Sequence, residues 1–118
     1  VSTLRQQLAA ALNPLVTGGA WFQVNTAEPP VYPFIVFTRI VSTVNVNLQG
    51  PSDLQNTRVQ VDIFLRDPST LEALEAAVDS SIAAAFPNTS IPISTQDLYE
   101  DAVKAYRSLR EYSIWGVF

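Results

Sequence analysis

In residues 58–66, Val59, Val61, Ile63 and Leu65 fall on one parity and Arg58, Gln60, Asp62 and Arg66 on the other. That two-residue period predicts a half-buried strand. Phe64 alone breaks the polar side. Asp67-Pro68-Ser69 then ends the strand, because proline cannot donate to a ladder yet suits the first turn of a helix. From Thr70 the period becomes helical: Leu71, Leu74, Val78, Ile82 and Ala85-Phe86 make one apolar stripe, with Glu72, Glu75 and Asp79 largely off it. At roughly 1.5–3 kcal/mol per large side chain buried, this stripe laid on a sheet is a main source of stability for a small domain.

The flanking segments supply more strands and a second helix. Thr3 caps a segment whose Leu4, Leu8, Ala11, Leu12 and Leu15 share a face, which predicts a helix ending near Asn13-Pro14. Thr17-Gly18-Gly19 turns the chain, and residues 21–24 form a candidate short strand. Residues 25–30 read as a loop. Phe34 to Val44 is dense in β-branched and aromatic residues, and its first four positions are apolar on both faces, as in a central strand. Residues 45–57 are polar around Gly50-Pro51 and read as a loop joining two strands that can pair antiparallel. A hairpin loop usually has about two to five residues, so this one is long; a functional loop and a plain flexible one are equally consistent with it. Residues 87–90 break the chain and 91–94 are extended. Residues 97–110 fit either a helix with Leu98, Ala102, Ala105 and Leu109 on one face or a hairpin leading into a strand over 106–118. The order of elements predicts an α+β fold: a single domain over residues 1–118, a mostly antiparallel sheet packed on one side by two helices, and a long strand-strand loop.

Composition removes most chemistry. The 118 residues include no cysteine and no histidine, so thiol or imidazole catalysis, disulfides and soft-metal sites are excluded. The net charge is −4 with seven scattered basic residues, which leaves no footprint for nucleic-acid binding. The longest apolar runs are far too short to span a bilayer, so no membrane association is expected. Neither is a secretory signal, since Val1 is followed by no basic-then-apolar leader. Asp97, Glu100 and Asp101 form an acidic cluster without the glycine turn of a calcium loop, and a solvated turn is the stronger reading. Asp62 between Arg58 and Arg66 could be a carboxylate held by two cations; a structural or intersubunit ion-pair row is favoured, because no second acid or nucleophile accompanies it. Gly18-Gly19 and Gly50-Pro51 match no phosphate cradle. Trp21, Trp115 and the tyrosines lack basic interleaving and read as core or interface residues. No cofactor is expected.

Taken in order, Tyr32-Pro33-Phe34-Ile35-Val36-Phe37, Leu48-Gln49-Gly50-Pro51, Arg58 to Ile63, the helix over 71–86 and the closing Tyr106 to Trp115 resemble the tail-completion, or tail-terminator, proteins of long-tailed bacteriophages. The resemblance spans nearly the whole chain. It implies a last hairpin turning near residues 102–104, although Ala102-Val103-Lys104 stands where the family usually has a glycine. It also implies a non-enzymatic virion protein at the tail–head junction, assembled in the host cytoplasm. The subunit would form a homo-oligomeric ring, six-fold in the family, that caps the tail tube. Its partners would be the tail tube protein and the head-tail connector or neck protein, with DNA passing through the lumen. A head-side connector ring, a stopper or adaptor, is the alternative, and a small hydrolase a remote third. The interface candidates are Leu48, Gly50, Asp53 and Leu54 in the long connection, Arg58, Asp62, Phe64 and Arg66 on the central strand, and Trp115 near the C-terminus.

Overall fold

The computed structural model describes residues 3–26, 30–47, 50–87, 89–102 and 104–116, and for 41–47, 50–55 and 116 it describes the backbone only. The chain forms α1 (Leu4–Leu12), β1 (Ala20–Phe22), β2 (Phe34–Asn47), β3 (Gly50–Leu65), α2 (Leu71–Ala85), β4 (Ser90–Glu100) and β5 (Ala105–Gly116). The five strands make one sheet in the order β1-β2-β3-β5-β4, antiparallel throughout except for the parallel β1–β2 pair. This is the α+β arrangement that the periodicities predict.

Both helices lie on the same side of the sheet. Thr3 opens α1 with a capping box: its hydroxyl accepts from the Gln6 amide at 3.2 Å, and the Gln6 side chain accepts from the Thr3 amide at 2.9 Å. Leu4, Leu8 and Leu12 are buried on the inner side of α1, as are Val78 and Ile82 on α2. They meet Ile35 and Phe37 of β2 and the Val59, Val61, Ile63 and Leu65 series of β3 in one core. The two helices are tied directly where the Ser81 hydroxyl donates to the Ala11 carbonyl at 3.1 Å.

The Gly18-Gly19 turn is fastened to the start of β2. The Gly18 amide donates to the Pro33 carbonyl at 2.8 Å, and the Ile35 amide donates to the Gly19 carbonyl at 3.0 Å. This closeness leaves no room for a side chain: a Cβ on Gly18 would lie 1.9 Å from the Val31 carbonyl oxygen and 2.7 Å from that of Pro33.

The connection over 45–57 is not a loop. β2 runs to Asn47 and β3 starts at Gly50, with Asn47 opposite Gly50 and Val46 opposite Pro51. The register set in the core by Ile35↔Ile63 and Phe37↔Val61 carries outward, and pairing satisfies backbone groups that a polar loop would leave to water. Pro51 is accommodated beside a register shift between Val44 and Val46. The outermost described β3–β5 pair is Gln55↔Gly116, and the tip of this hairpin extends beyond it. The sixteen residues of β3 span, at about 3.3 Å each, the long dimension of a molecule measuring 52 × 25 × 24 Å.

The ambiguous segment over 97–110 is a hairpin, with β4 and β5 paired from Ser90↔Ile114 to Glu100↔Ala105. Lys104 takes the left-handed conformation, φ 54°, that a glycine would adopt without strain. Its amide donates to the Asp101 carbonyl at 3.3 Å and its ammonium reaches Asp101 Oδ1 at 3.0 Å, which holds the turn without the glycine.

Candidate assembly surfaces

The side of the sheet away from the helices carries a row of three rings with a cation at each end. The Arg66 guanidinium lies 4.4 Å from the Tyr32 ring centroid, Tyr32 meets Phe34 at 5.1 Å, Phe34 stacks on Phe64 at 4.8 Å, and Arg107 stands 5.4 Å from Phe64. Cation–π and stacking contacts of this kind are worth about 0.5–1.5 kcal/mol each. They explain why Phe64 breaks the polar parity of β3: it fills a place between Phe34 and Arg107 and is half-buried.

Arg107 also organises the acids. It donates to Asp62 at 3.0 Å and to Glu100 at 2.9 Å, while the Gln60 side chain donates to Asp62 at 3.2 Å. Burial works against the Arg107 charge, but the hydrogen bonds and attraction of Glu100 and Asp62 outweigh it and raise its pKa above the ordinary value. Arg58 and Arg66 are not the cations that hold Asp62. Each is four positions away along the strand, roughly 13 Å at strand rise, whereas β5 lies next to β3 at about 5 Å. Arg58 instead stands 3.7 Å from Glu111. Asp62 is 5 % exposed and paired with Arg107 inside its own chain.

A second polar cluster lies beneath α2. Arg110 of β5 donates to Glu75 at 2.8 Å and to Asp79 at 2.7 Å, and its Nε donates to the Tyr112 hydroxyl at 3.1 Å; that hydroxyl donates in turn to Asp79. Burial raises the Glu75 pKa, and the Asp97 charge on β4 adds to the shift against the attraction of Arg110. Burial likewise raises the Tyr112 pKa, reinforced by its bond to Asp79. The carboxylates of both clusters are engaged by arginines, and neither cluster holds an activated nucleophile. Asp97, Glu100 and Asp101 do not converge: Asp97 lies on the helix side, Glu100 binds Arg107 and Asp101 binds Lys104. Among the described residues no group of three potential metal ligands is close enough to hold an ion.

Among the described residues the sheet's outer edges carry no further strand. Every residue from Ile91 to Tyr99 is exposed, because the helices cover β2, β3 and β5 and stop short of β4. Ile91 is 57 % exposed and Tyr99 49 %, the latter edge-to-face with Tyr106 at 5.0 Å. At the opposite edge Thr3, Arg5, Leu8, Phe22, Phe37 and Arg39 line a hollow of ≈ 390 Å³. Of the interface candidates, Arg58, Phe64 and Trp115 reach the helix-free side with some exposure, and Arg66 closes the cation–ring row. Gly50, Asp53 and Leu54 belong to the outer end of β3, and Leu48 lies outside the described residues. Arg107, Arg110, Arg39 and the exposed face of β4 stand out only once the strands are paired. The alternation of Tyr106, Ser108, Arg110, Tyr112 and Ile114 marks one side of β5 in the sequence, but it does not say which acids lie opposite.

The described residues thus form a sheet with helices on one side, charge-linked rings on the other and outer edges with no further strand beside them. The chain belongs to the tail completion protein gp17 family, whose model matches residues 2–116, and so has a structural role in completing a bacteriophage tail. No curated protein matches the chain.

Proposed function

We propose that the protein is a tail-terminator subunit: copies of it, six in the family resemblance, close into a ring on the head-proximal end of the tail tube. The ring stops tube growth and presents its other face to the neck. The proposed partners are thus other copies of the chain, the tail tube protein and the connector, with DNA passing through the lumen and no cofactor or catalytic step. The observation that carries this reading is the family match over nearly the whole chain. Two open edges on one sheet agree with it, since head-to-tail contacts between different patches close into rings when the rotation permits.

Phage particles made without the protein should show free heads beside overlong tails when imaged. Leaking heads on tails of normal length would instead place it on the head side, as a stopper or adaptor. We further assign the outer β2–β3 hairpin to contact with a neighbouring subunit or the tube. Joining Val44 to Gln55, which already face each other in the ladder, through an Asn-Gly turn should leave the thermal melt within a few degrees of the parent and abolish capping of isolated tubes. Normal capping by the shortened protein would remove that role.

A further inference from the structure

The two open edges of the sheet are complementary in backbone and in charge. On one side, Ser94 to Glu100 of β4 forms a regular ladder with β5, and its outer edge has no strand partner among the described residues. Pro92 and the register shift beside it lie upstream of this stretch. On the other side β1 covers only Ile35 to Phe37 of β2, so from Thr38 onward the outer edge of β2 has no strand partner among the described residues. Free edges of this length invite pairing, and proteins normally cover or blunt them.

Register places the charges. Arg39 is opposite Val59 and Asp97 is opposite Ser108, and Val59 and Ser108 are fully buried under the helices. Arg39 and Asp97 therefore leave the sheet on the same side, at opposite edges. Among the described residues neither makes an ion pair, and nor does Arg5, which lines the hollow with Arg39 and lies 5.2 Å from the Phe22 ring centroid. Around Asp97 the balance is reversed: Glu75 and Asp79 share the single cation Arg110, and the Asp97 charge is felt at Glu75.

Resting on the ring reading above, we infer that β4 of one copy adds to the free edge of β2 in the next copy, with Asp97 facing Arg39 and Arg5. β3 and β4 run one way and β2 and β5 the other. Rotation about an axis along the strands preserves that sense, so β4 meets the next β2 antiparallel, like most of the sheet. The apolar side chain of Tyr99, on the helix side like Asp97, then comes toward the hollow floored by Phe22 and Phe37. Backbone pairing supplies the attachment, and the charges set register and exclude the reverse orientation. The contact joins two different patches, so it propagates from copy to copy until the ring closes.

The test uses the full chain, alone by native mass spectrometry and on isolated tail tubes by imaging. Asp97→Arg and Arg39→Glu change exposed side chains and should keep the parent melt. Each alone should lower ring formation and capping at least tenfold, and the two together should restore most of it. A second measurement exploits the absence of cysteine. If Asp97 faces Arg39 in an antiparallel pair, Leu98 faces Thr38, so a chain carrying both Leu98→Cys and Thr38→Cys should give a ladder of covalent oligomers on oxidation after assembly. Single variants that assemble like the parent, a double charge variant no better than the singles, or assembled rings that yield only monomer on oxidation would each overturn this joint while leaving the ring intact. A parent protein that forms no ring in either setting would overturn the ring reading and the joint with it.

Discussion

Ile82→Asp yields a chain with no cooperative thermal transition. Ile82 is completely buried in the middle of the inner stripe of α2, with Val78 one turn before it and Phe86 one turn after. Removing a buried isoleucine costs about 2–5 kcal/mol in lost burial and cavity formation. The aspartate then either ionises among aliphatic groups or is held protonated by them, and each course adds several kcal/mol. The total reaches the whole stability of about 5–15 kcal/mol typical of a domain of this size. Circular dichroism during heating is the measurement, with Ile82→Val as the control that should cost only about 1 kcal/mol. A cooperative melt of the aspartate variant at the parent temperature would mean that α2 does not seat Ile82 against the sheet.

Arg110→Ala should fold but melt on the order of 10 °C lower. Arg110 is 7 % exposed and is the shared cation for Glu75 and Asp79, as well as the donor to the Tyr112 hydroxyl. Its removal leaves two carboxylates one turn apart on the same face of α2 without their shared cation. Breaking a buried pair from one side costs about 3–5 kcal/mol, and the lower end applies here because the Asp79 side chain is 43 % exposed and water can take part of its charge. Adding Glu75→Gln and Asp79→Asn to Arg110→Met should recover much of the loss, since an apolar side chain then lies under neutral amides instead of under two charges. Paired urea and thermal titrations of the single and triple variants would check this. An unchanged midpoint for Arg110→Ala would show that the cluster contributes nothing to stability.

The helices and the central strand were legible in the sequence for a local reason. Whether a segment presents an apolar stripe every three to four residues, as Leu71 to Phe86 does, or every second residue, as Val59 to Leu65 does, depends only on the segment itself. The absence of histidine and cysteine is local in the same sense, and it removed most enzyme chemistries before any fold was considered. The family resemblance went further, because it rests on the order of several such segments, and it correctly chose a hairpin for residues 97–110 where periodicity alone left a helix equally open.

What only the tertiary structure decided is which residues meet. Arg107 lies 45 positions from Asp62, and Arg110 lies 35 from Glu75 and 31 from Asp79, so no spacing along the chain could pair them; the β3–β5 register and the seat of α2 on the sheet do. For the same reason Arg58 and Arg66 looked like partners of Asp62 and are not. Residues 45–57 read as a loop from their polarity, but once Ile35 is set against Ile63 in the core, the register is fixed and every second pair added to the ladder gains two backbone hydrogen bonds, so the strands continue outward. The open edges at β2 and β4 are likewise properties of strand order. Strand order depends on how segments far apart in the chain pack together, and a hydrophobic pattern carries no record of it.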